Sequence, residues 1–425
     1  MKCIFWFRRD LRIFDNVGLV KASEECEKVF PVVVIDPNIM FRDDTSPRRA
    51  QFYLEAVRSL SKKIPLTVFY GNPVKELIKA SKKFETNKVY FNRDYGYYSS
   101  KRDSEVCNHL ECKTFKDHVL VEKGEIPIYK LFTSYYMKWK EVKKDLPLGF
   151  PKGNFFGEGN DVPNLFSGYK IPCATEECAM ERLKEFKEKR VYDWHNTTKL
   201  SPYIKIGLIS VRVVYHELNM EEVRRQICWR DFYYQLYTSD FNYLVYGIRR
   251  LPINWRESEE DFRAWTEGRT GYPIIDAAMR ELSETGWMDN RLRLLTAFFL
   301  TKILRIDWKK GALHFMKNLI DGDYIINTAN WQWVASIGVD PRPFRKFNII
   351  EQGKKYDPEG TYIRRWVHEL KDIPKEYIHE PWKIPSSLQK ELKLIIGKDY
   401  PYPIIDLEKG YEEFIKLYKS SKLRD

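Results

Sequence analysis

Over the first 120 residues, short β-branched runs alternate with stretches long enough to form a helix, and this alternation restricts the fold more than any other feature of the chain. The runs at Cys3–Phe7, Val29–Ile35, Thr67–Tyr70, Lys88–Phe91 and Lys113–Phe115 read as strands. Between them lie segments such as Pro47–Lys62, which opens with the proline that suits a first helical turn. Strands separated by crossover helices pair in parallel, so this part predicts a doubly wound α/β sheet that binds ligands at the carboxyl ends of its strands. No G-x-G-x-x-G follows the first strand, so the standard dinucleotide fingerprint is missing.

The pattern then breaks. Pro147, Gly149, Pro151, Gly153, Gly157, Gly159 and Pro163 crowd together, as in a linker crossing a surface. From about residue 175 apolar residues recur at helical spacing, as in Leu292–Leu304. The expected organisation is an α/β domain over 1–120, a linker over 121–174 and an all-helical domain over 175–425. A chain of 425 residues exceeds what one core supports, which agrees with two domains.

No apolar run approaches the roughly 20 residues of a membrane span. The start, MKCIFWFRRDLR, lacks the apolar stretch of a signal peptide, so a cytoplasmic location is expected. The seven cysteines include no C-x-x-C pair. Their odd number argues against a disulfide framework, and the pairs Cys107/Cys112 and Cys173/Cys178 read as incidental, reduced thiols with no metal site. The net charge of +12 attracts polyanions and tilts the reading modestly toward nucleic acid, with a solvated basic surface as the plain alternative.

The densest cluster of chemistry-bearing residues is Asp321-Gly322-Asp323-Tyr324-Ile325-Ile326-Asn327-Thr328-Ala329-Asn330-Trp331-Gln332-Trp333. If a helix follows the glycine, Asp323, Asn327 and Trp331 share one face at i, i+4 spacing and could cradle a polar ring cofactor. A helix capped by Asp with tryptophans in the core accounts for the same residues. Further motifs are Gly268-Arg269-Thr270-Gly271-Tyr272-Pro273, Thr285-Gly286-Trp287-Met288-Asp289-Asn290-Arg291 and Trp229-Arg230-Asp231-Phe232-Tyr233. Together these segments closely resemble the FAD-binding domain of photolyases and cryptochromes. The opening Trp6-Phe7-Arg8-Arg9-Asp10-Leu11-Arg12, with Asp15-Asn16, looks like that family's antenna domain. The resemblance runs in order from residue 1 beyond the Gln352–Leu370 stretch.

The resemblance implies a light-driven repair enzyme, most like class I cyclobutane pyrimidine dimer photolyases, that uses reduced FAD. It also implies roles for single residues. Thr197, Thr198, Lys199, Leu200 and Ser201 match the stretch that holds the FAD pyrophosphate. Arg293 and Asp321 match a salt-bridged pair beside the flavin, and Asp323 an acid that contacts flavin and ribose. Asn327 matches the residue facing flavin N5; an amide can hydrogen-bond N5 but carries no ionisable proton, which tilts the reading toward repair. Trp255, Trp308 and Trp331 match an electron-hopping chain, with core packing as the plain alternative for each. Trp229 and Trp333 match aromatic walls of the lesion pocket, where a dimer flipped out of the stack would sit. Asn290 matches a pocket residue that hydrogen-bonds the lesion, where the (6-4) repair branch has His.

Some residues depart from the family pattern. Gln226 stands where cyclobutane enzymes have Glu, Leu294 replaces a pocket Met, and Phe186 replaces a Tyr that contacts phosphate. Gly96 replaces the Glu of folate-type antenna pockets, which leans toward a flavin or deazaflavin as second chromophore. Arg9, Asp36, Asn38 and Asp94, near strand ends, are the antenna-pocket candidates. Arg291, Arg342, Arg345 and Lys346 are candidates for DNA phosphate contacts, which would weaken with salt. The implied partner is DNA carrying pyrimidine dimers, with the chain a monomer and no protein partner or membrane involved. The alternatives are a cryptochrome-like photosensor, a (6-4) photolyase and a flavin protein without light chemistry. The chain closes on the short basic stretch Lys419–Asp425, without the long tail a photosensor would use for signalling.

Overall fold

A computed structural model describes residues 1–189, 197–340 and 342–422 of the chain; the last three residues of the basic terminal stretch lie outside the described residues. All five expected strands form. They are β1 (Lys2–Phe7), β2 (Lys28–Ile35), β3 (Thr67–Tyr70), β4 (Lys88–Asn92) and β5 (Glu111–Phe115). They make one sheet in the order β3-β2-β1-β4-β5, and every pairing is parallel. The order reverses at β1, so the carboxyl ends of β1 and β4 flank the switch point where such sheets bind ligands.

The crossover helices are fixed at their starts by residues the sequence supplies. Asn16, Ser46 and Asn72 each accept a backbone N–H from the first turn of the following helix, and Pro47 and Pro73 occupy first helical positions. The Pro73–Phe84 helix packs Val74, Leu77, Ala80 and Phe84 against Ile4, Trp6, Val32, Val34, Val89 and Phe91 of the sheet. The expected linker runs across the sheet domain. Val29 bridges to Phe155, and a Cβ at Gly157 would lie 2.0 Å from the carbonyl oxygen of Pro65, so only glycine allows the chain to pass there.

From Glu176 onward every regular element among the described residues is helical, one isolated bridge (Ile396–Tyr400) apart. The fold class is therefore a doubly wound parallel α/β domain followed by helices. The chain forms two compact units, Met1–Phe241 with Ile320–Ile326, and Asn242–Leu319 with Asn327–Asp425. The helices between Glu176 and Ser239 thus group with the sheet. In the second unit the Asn290–Phe298 helix continues into a π-helical segment, Phe299–Ile303.

The reading of the cysteines as reduced thiols is corrected. Cys3–Cys26, Cys107–Cys112 and Cys173–Cys178 are disulfides, and Cys228 is free and buried. The parity argument failed because the unpaired cysteine sits in a core, where it behaves as a small apolar residue. The two pairs taken as incidental have Cα separations of 5.4 and 6.1 Å, within the span a disulfide bridges.

Candidate active site

In the first unit, the motif after β1 organises a buried network of charges. Arg9 donates to Asp94 (3.2 Å), to the Tyr234 hydroxyl (2.8 Å) and to Asp323 Oδ2 (2.9 Å). Lys205 donates to the same Asp323 oxygen at 2.9 Å, and the Tyr234 hydroxyl donates to it as well. The other oxygen of Asp323 accepts Ile326 N at 3.2 Å, so this acid caps the Tyr324–Val334 helix while its second oxygen binds cations. Asp323 thus caps the helix, as the plain reading has it, with its second oxygen given to Arg9 and Lys205. Burial opposes its ionisation, but Lys205 and Arg9 hold its carboxyl well below the usual range. Burial, with Arg9 nearby, brings Lys205 down to about 8.

Asp94 and Arg9, two of the antenna candidates, are thus committed to each other and, through Arg9, to Asp323. Asp36, at the end of β2, accepts Asn38 N (2.9 Å) and the Tyr98 hydroxyl (2.5 Å); Asn38 is exposed beside it. Elsewhere in the motif, Arg12 and Arg212 clamp Asp117 at 2.7 and 2.6 Å. Burial works against that carboxylate, yet the two guanidiniums hold it at about 2.

The phosphate-loop candidates lead into the short Ser201–Ile206 helix. Ser201 Oγ donates to Asp321 Oδ2 at 2.6 Å, and Thr198 Oγ1 accepts Leu200 N at 3.4 Å. Lys199 adopts φ +49°, the left-handed region that a side chain enters only when its surroundings demand it. Thr197 Oγ1 is buried without a hydrogen-bond partner among the described residues. A hydroxyl left unmatched inside a loop of hydroxyls fits a phosphate group, so these residues suit the pyrophosphate of FAD.

The Glu221–Ser239 helix places Gln226 on the surface and half-buries Trp229 one turn later. Trp229 stacks face to face on Phe132, centroids 3.7 Å apart and planes within 4°. The next acid in that motif, Asp231, explains how Phe132 comes to lie there. It accepts Leu120 N, Val121 N and Trp139 Nε1 at 2.9–3.1 Å, clipping the start of the linker and the Phe132–Glu141 helix to this one. Burial pushes Asp231 up to about 6.

In the second unit, Asn327 Nδ2 donates to the Ala312 carbonyl at 3.0 Å. A carbonyl can only accept, so this contact fixes which end of the amide is Nδ2 and leaves Oδ1 as its acceptor. Trp331 is 2% exposed. It meets Phe315 edge-on at 4.9 Å and Trp265 edge-on at 6.0 Å. Trp308, the first residue of the Trp308–Asn318 helix, is buried, and Trp255 is half-buried. The three candidate donors thus rise in exposure from Trp331 to Trp255. Trp265 is a buried indole that motif matching missed; its only sequence signal was Phe262 three residues earlier on an apolar helix face.

Asn290 and Leu294 lie one turn apart on the Asn290–Phe298 helix, exposed and half-buried. Arg291 lies over the Tyr356 ring at 5.3 Å, and Arg293 Nε donates to the Met288 carbonyl at 2.8 Å. Arg345 covers the half-buried Trp333 at 5.0 Å and pairs with Asp340 at 2.8 Å. Lys346 pairs with Glu408, and Arg342 is exposed.

This sheet-plus-helix architecture is that of the photolyases and cryptochromes of known structure. The photolyase from Sulfolobus tokodaii, solved with two FAD molecules, is 34% identical with a TM-score of 0.86, covering 99% of this chain and 100% of its own. A cryptochrome from Synechocystis is 28% identical with a TM-score of 0.89, covering 98% and 99% of the two chains. Residues 3–152 match the family model for DNA photolyase, and residues 223–420 that for the FAD binding domain of DNA photolyase. Deoxyribodipyrimidine photo-lyases from Vibrio cholerae and Escherichia coli are 32% and 31% identical, over 99% of this chain and 99% and 98% of theirs. The chain belongs to the DNA photolyase family.

Proposed function

We propose that this chain repairs cyclobutane pyrimidine dimers in DNA under light, using bound FAD. The observation that carries this reading is the match, over nearly the whole chain, to relatives named deoxyribodipyrimidine photo-lyase, with both family models in order. Reduced FAD, when bound and excited, would supply the electron that splits the dimer. The unmatched Thr197 hydroxyl, with Thr198, Lys199, Leu200 and Ser201, would hold its pyrophosphate. Asp323, kept ionised by Arg9 and Lys205, would accept hydroxyls of its ribose. Arg293 and Asp321 would flank the ring, and Asn327 Oδ1 would accept a hydrogen bond from it without offering a titratable proton.

Trp331, Trp308 and Trp255 would relay electrons inward from the surface. Trp229 on its Phe132 backing, and Trp333 under Arg345, would give the flipped dimer flat apolar walls. Asn290 would hydrogen-bond the dimer, with Gln226 and Leu294 completing the pocket. Arg291, Arg342 and Lys346 would meet DNA phosphates. A second flavin as antenna is supported by the Sulfolobus tokodaii relative with its two FAD molecules and by Gly96 in place of Glu. Asp36 and Asn38 are the antenna candidates with no tie to Asp323. The division 1–120, 121–174 and 175–425 describes the antenna, linker and catalytic parts. No helix among the described residues is long and apolar enough to cross a membrane. We place the protein in the cytoplasm as a monomer, associated with the nucleoid if the source is prokaryotic.

The Synechocystis cryptochrome at TM-score 0.89 supports a second reading, a light sensor on the same scaffold. Light-dependent repair of a defined dimer separates the two. Repair under blue light and none in the dark supports the first. Bound, photoreducible FAD without repair supports the second.

A further inference from the structure

The π-helical segment Phe299–Ile303 carries a lysine, Lys302, as its fourth residue. A π turn widens a helix by one residue, and such turns concentrate where a side chain must be re-aimed. Lys302 is 2% exposed, with its amine 5.9 Å from the Phe298 ring and 5.4 Å from the Phe414 ring. Burying an ammonium among rings is costly, and an apolar residue of the same length would fill the space without that cost. The amine has a specific use. It donates to the Pro343 carbonyl and to the Arg345 carbonyl, both at 3.1 Å.

Those carbonyls belong to the segment that presents Arg342 to solvent and lays Arg345 over Trp333. The same segment is tied at other points. Ser336 Oγ also donates to the Pro343 carbonyl, and Asp340 binds Arg345 through both carboxylate oxygens. Lys302 reaches two of its carbonyls, and the Tyr411 hydroxyl donates to the one between them, that of Phe344, at 2.6 Å. Burial brings the lysine down to about 7, with Asp340 favouring the charged form and Arg345 opposing it.

We propose that Lys302 is a positioning residue for recognition of damaged DNA: by fixing the Pro343 and Arg345 carbonyls from below, it sets the loop that holds Arg345 against Trp333 and turns Arg342 outward. The proposal rests on the photolyase reading. Lys302 touches neither DNA nor flavin and acts only through the loop.

The test is a double-variant cycle read by dark binding of a dimer-containing oligonucleotide to the FAD-loaded protein. Lys302→Met keeps the length and removes the donors. Its Kd should rise roughly tenfold, the worth of a charged hydrogen bond, while flavin absorption and thermal midpoint stay near wild type. Added to Arg345→Ala, it should change Kd by less than about twofold, because residues acting through one element are not additive. A Kd equal to wild type, or a full tenfold effect that persists on the Arg345→Ala background, overturns the proposal. Should the methionine variant lose its flavin, Lys302→Gln takes its place in the cycle, with the same two readings. If the wild-type protein shows no preference for the dimer, the photolyase reading falls and the proposal falls with it.

Discussion

Replacing Gly311 by alanine should disturb the innermost tryptophan of the electron relay. Gly311 lies inside the Trp308–Asn318 helix, where glycine costs about 1 kcal/mol relative to alanine. Close packing is the reason it is there. A Cβ at this position would sit 2.2 Å from Trp331 Cη2, 2.4 Å from its Cζ3 and 2.6 Å from Leu300 Cδ2. Carbon atoms rest about 3.5 Å apart or more, so the indole would have to retreat by roughly 1.3 Å. It has nowhere to go. Phe315 and Trp265 stand edge-on to it at 4.9 and 6.0 Å, and the ring is 2% exposed. Overpacking of this kind costs about 1–3 kcal/mol, and the gain in helix propensity returns about 1. The net effect is a loss of up to about 2 kcal/mol, or a few degrees in thermal midpoint. The larger effect is on electron transfer. The rate of flavin bleaching under blue light with an external reductant should fall several-fold, while bound FAD per chain stays constant. An alanine variant that is more stable than wild type and photoreduces at the wild-type rate would refute the packing argument.

Other consequences can be measured independently. Arg9→Gln removes one of two cations from the buried Asp323 and should raise the Kd for FAD by about tenfold, read by flavin release on dilution. An unchanged affinity would mean that Lys205 suffices. The Asp117 carboxylate is held at about 2 in the folded chain and titrates near 3.9 when unfolded. Because the folded value is depressed, its stabilisation of roughly 2 kcal/mol is present above pH ~4 and is lost as the pH falls toward 2. Asp117→Asn should flatten that part of the acid-unfolding curve. Alkylation of the unreduced, unfolded chain should label one cysteine of seven, Cys228, and Cys26→Ser should cost about 2–4 kcal/mol in thermal denaturation. Labelling of all seven without reductant would show the thiols to be free.

Local patterns were legible in the sequence and long-range partners were not. The five strands announced themselves through β-branched runs: Thr67–Tyr70 forms as expected, and three others needed only a residue added at an end. The fifth was shortened because Glu111 and Cys112, polar or small, gave no apolar signal, although they pair with Lys88 and Val89. The i, i+4 stripe of Asp323, Asn327 and Trp331 followed from helical geometry alone. Arg9 is different. Its place at the end of β1 suggested the antenna pocket, but its partner Asp323 is 314 residues away, and no spacing rule links them. Lys302 was equally silent. No motif or spacing marks it within the apolar Leu292–Leu304 stretch, and its burial and its two carbonyl partners, 41 and 43 residues on, appear only in the fold. The cysteines misled through a counting rule, since one core cysteine makes an even set look odd.

The central claim is tested most directly by exposing a thymine cyclobutane dimer in a defined oligonucleotide to blue light, without oxygen, in the presence of the reduced, FAD-loaded protein. The account predicts that the dimer is restored to two thymines under light and persists in the dark, and that a (6-4) lesion is left intact. A chain that binds FAD and photoreduces it through its tryptophans, yet leaves the dimer unrepaired, would contradict the account.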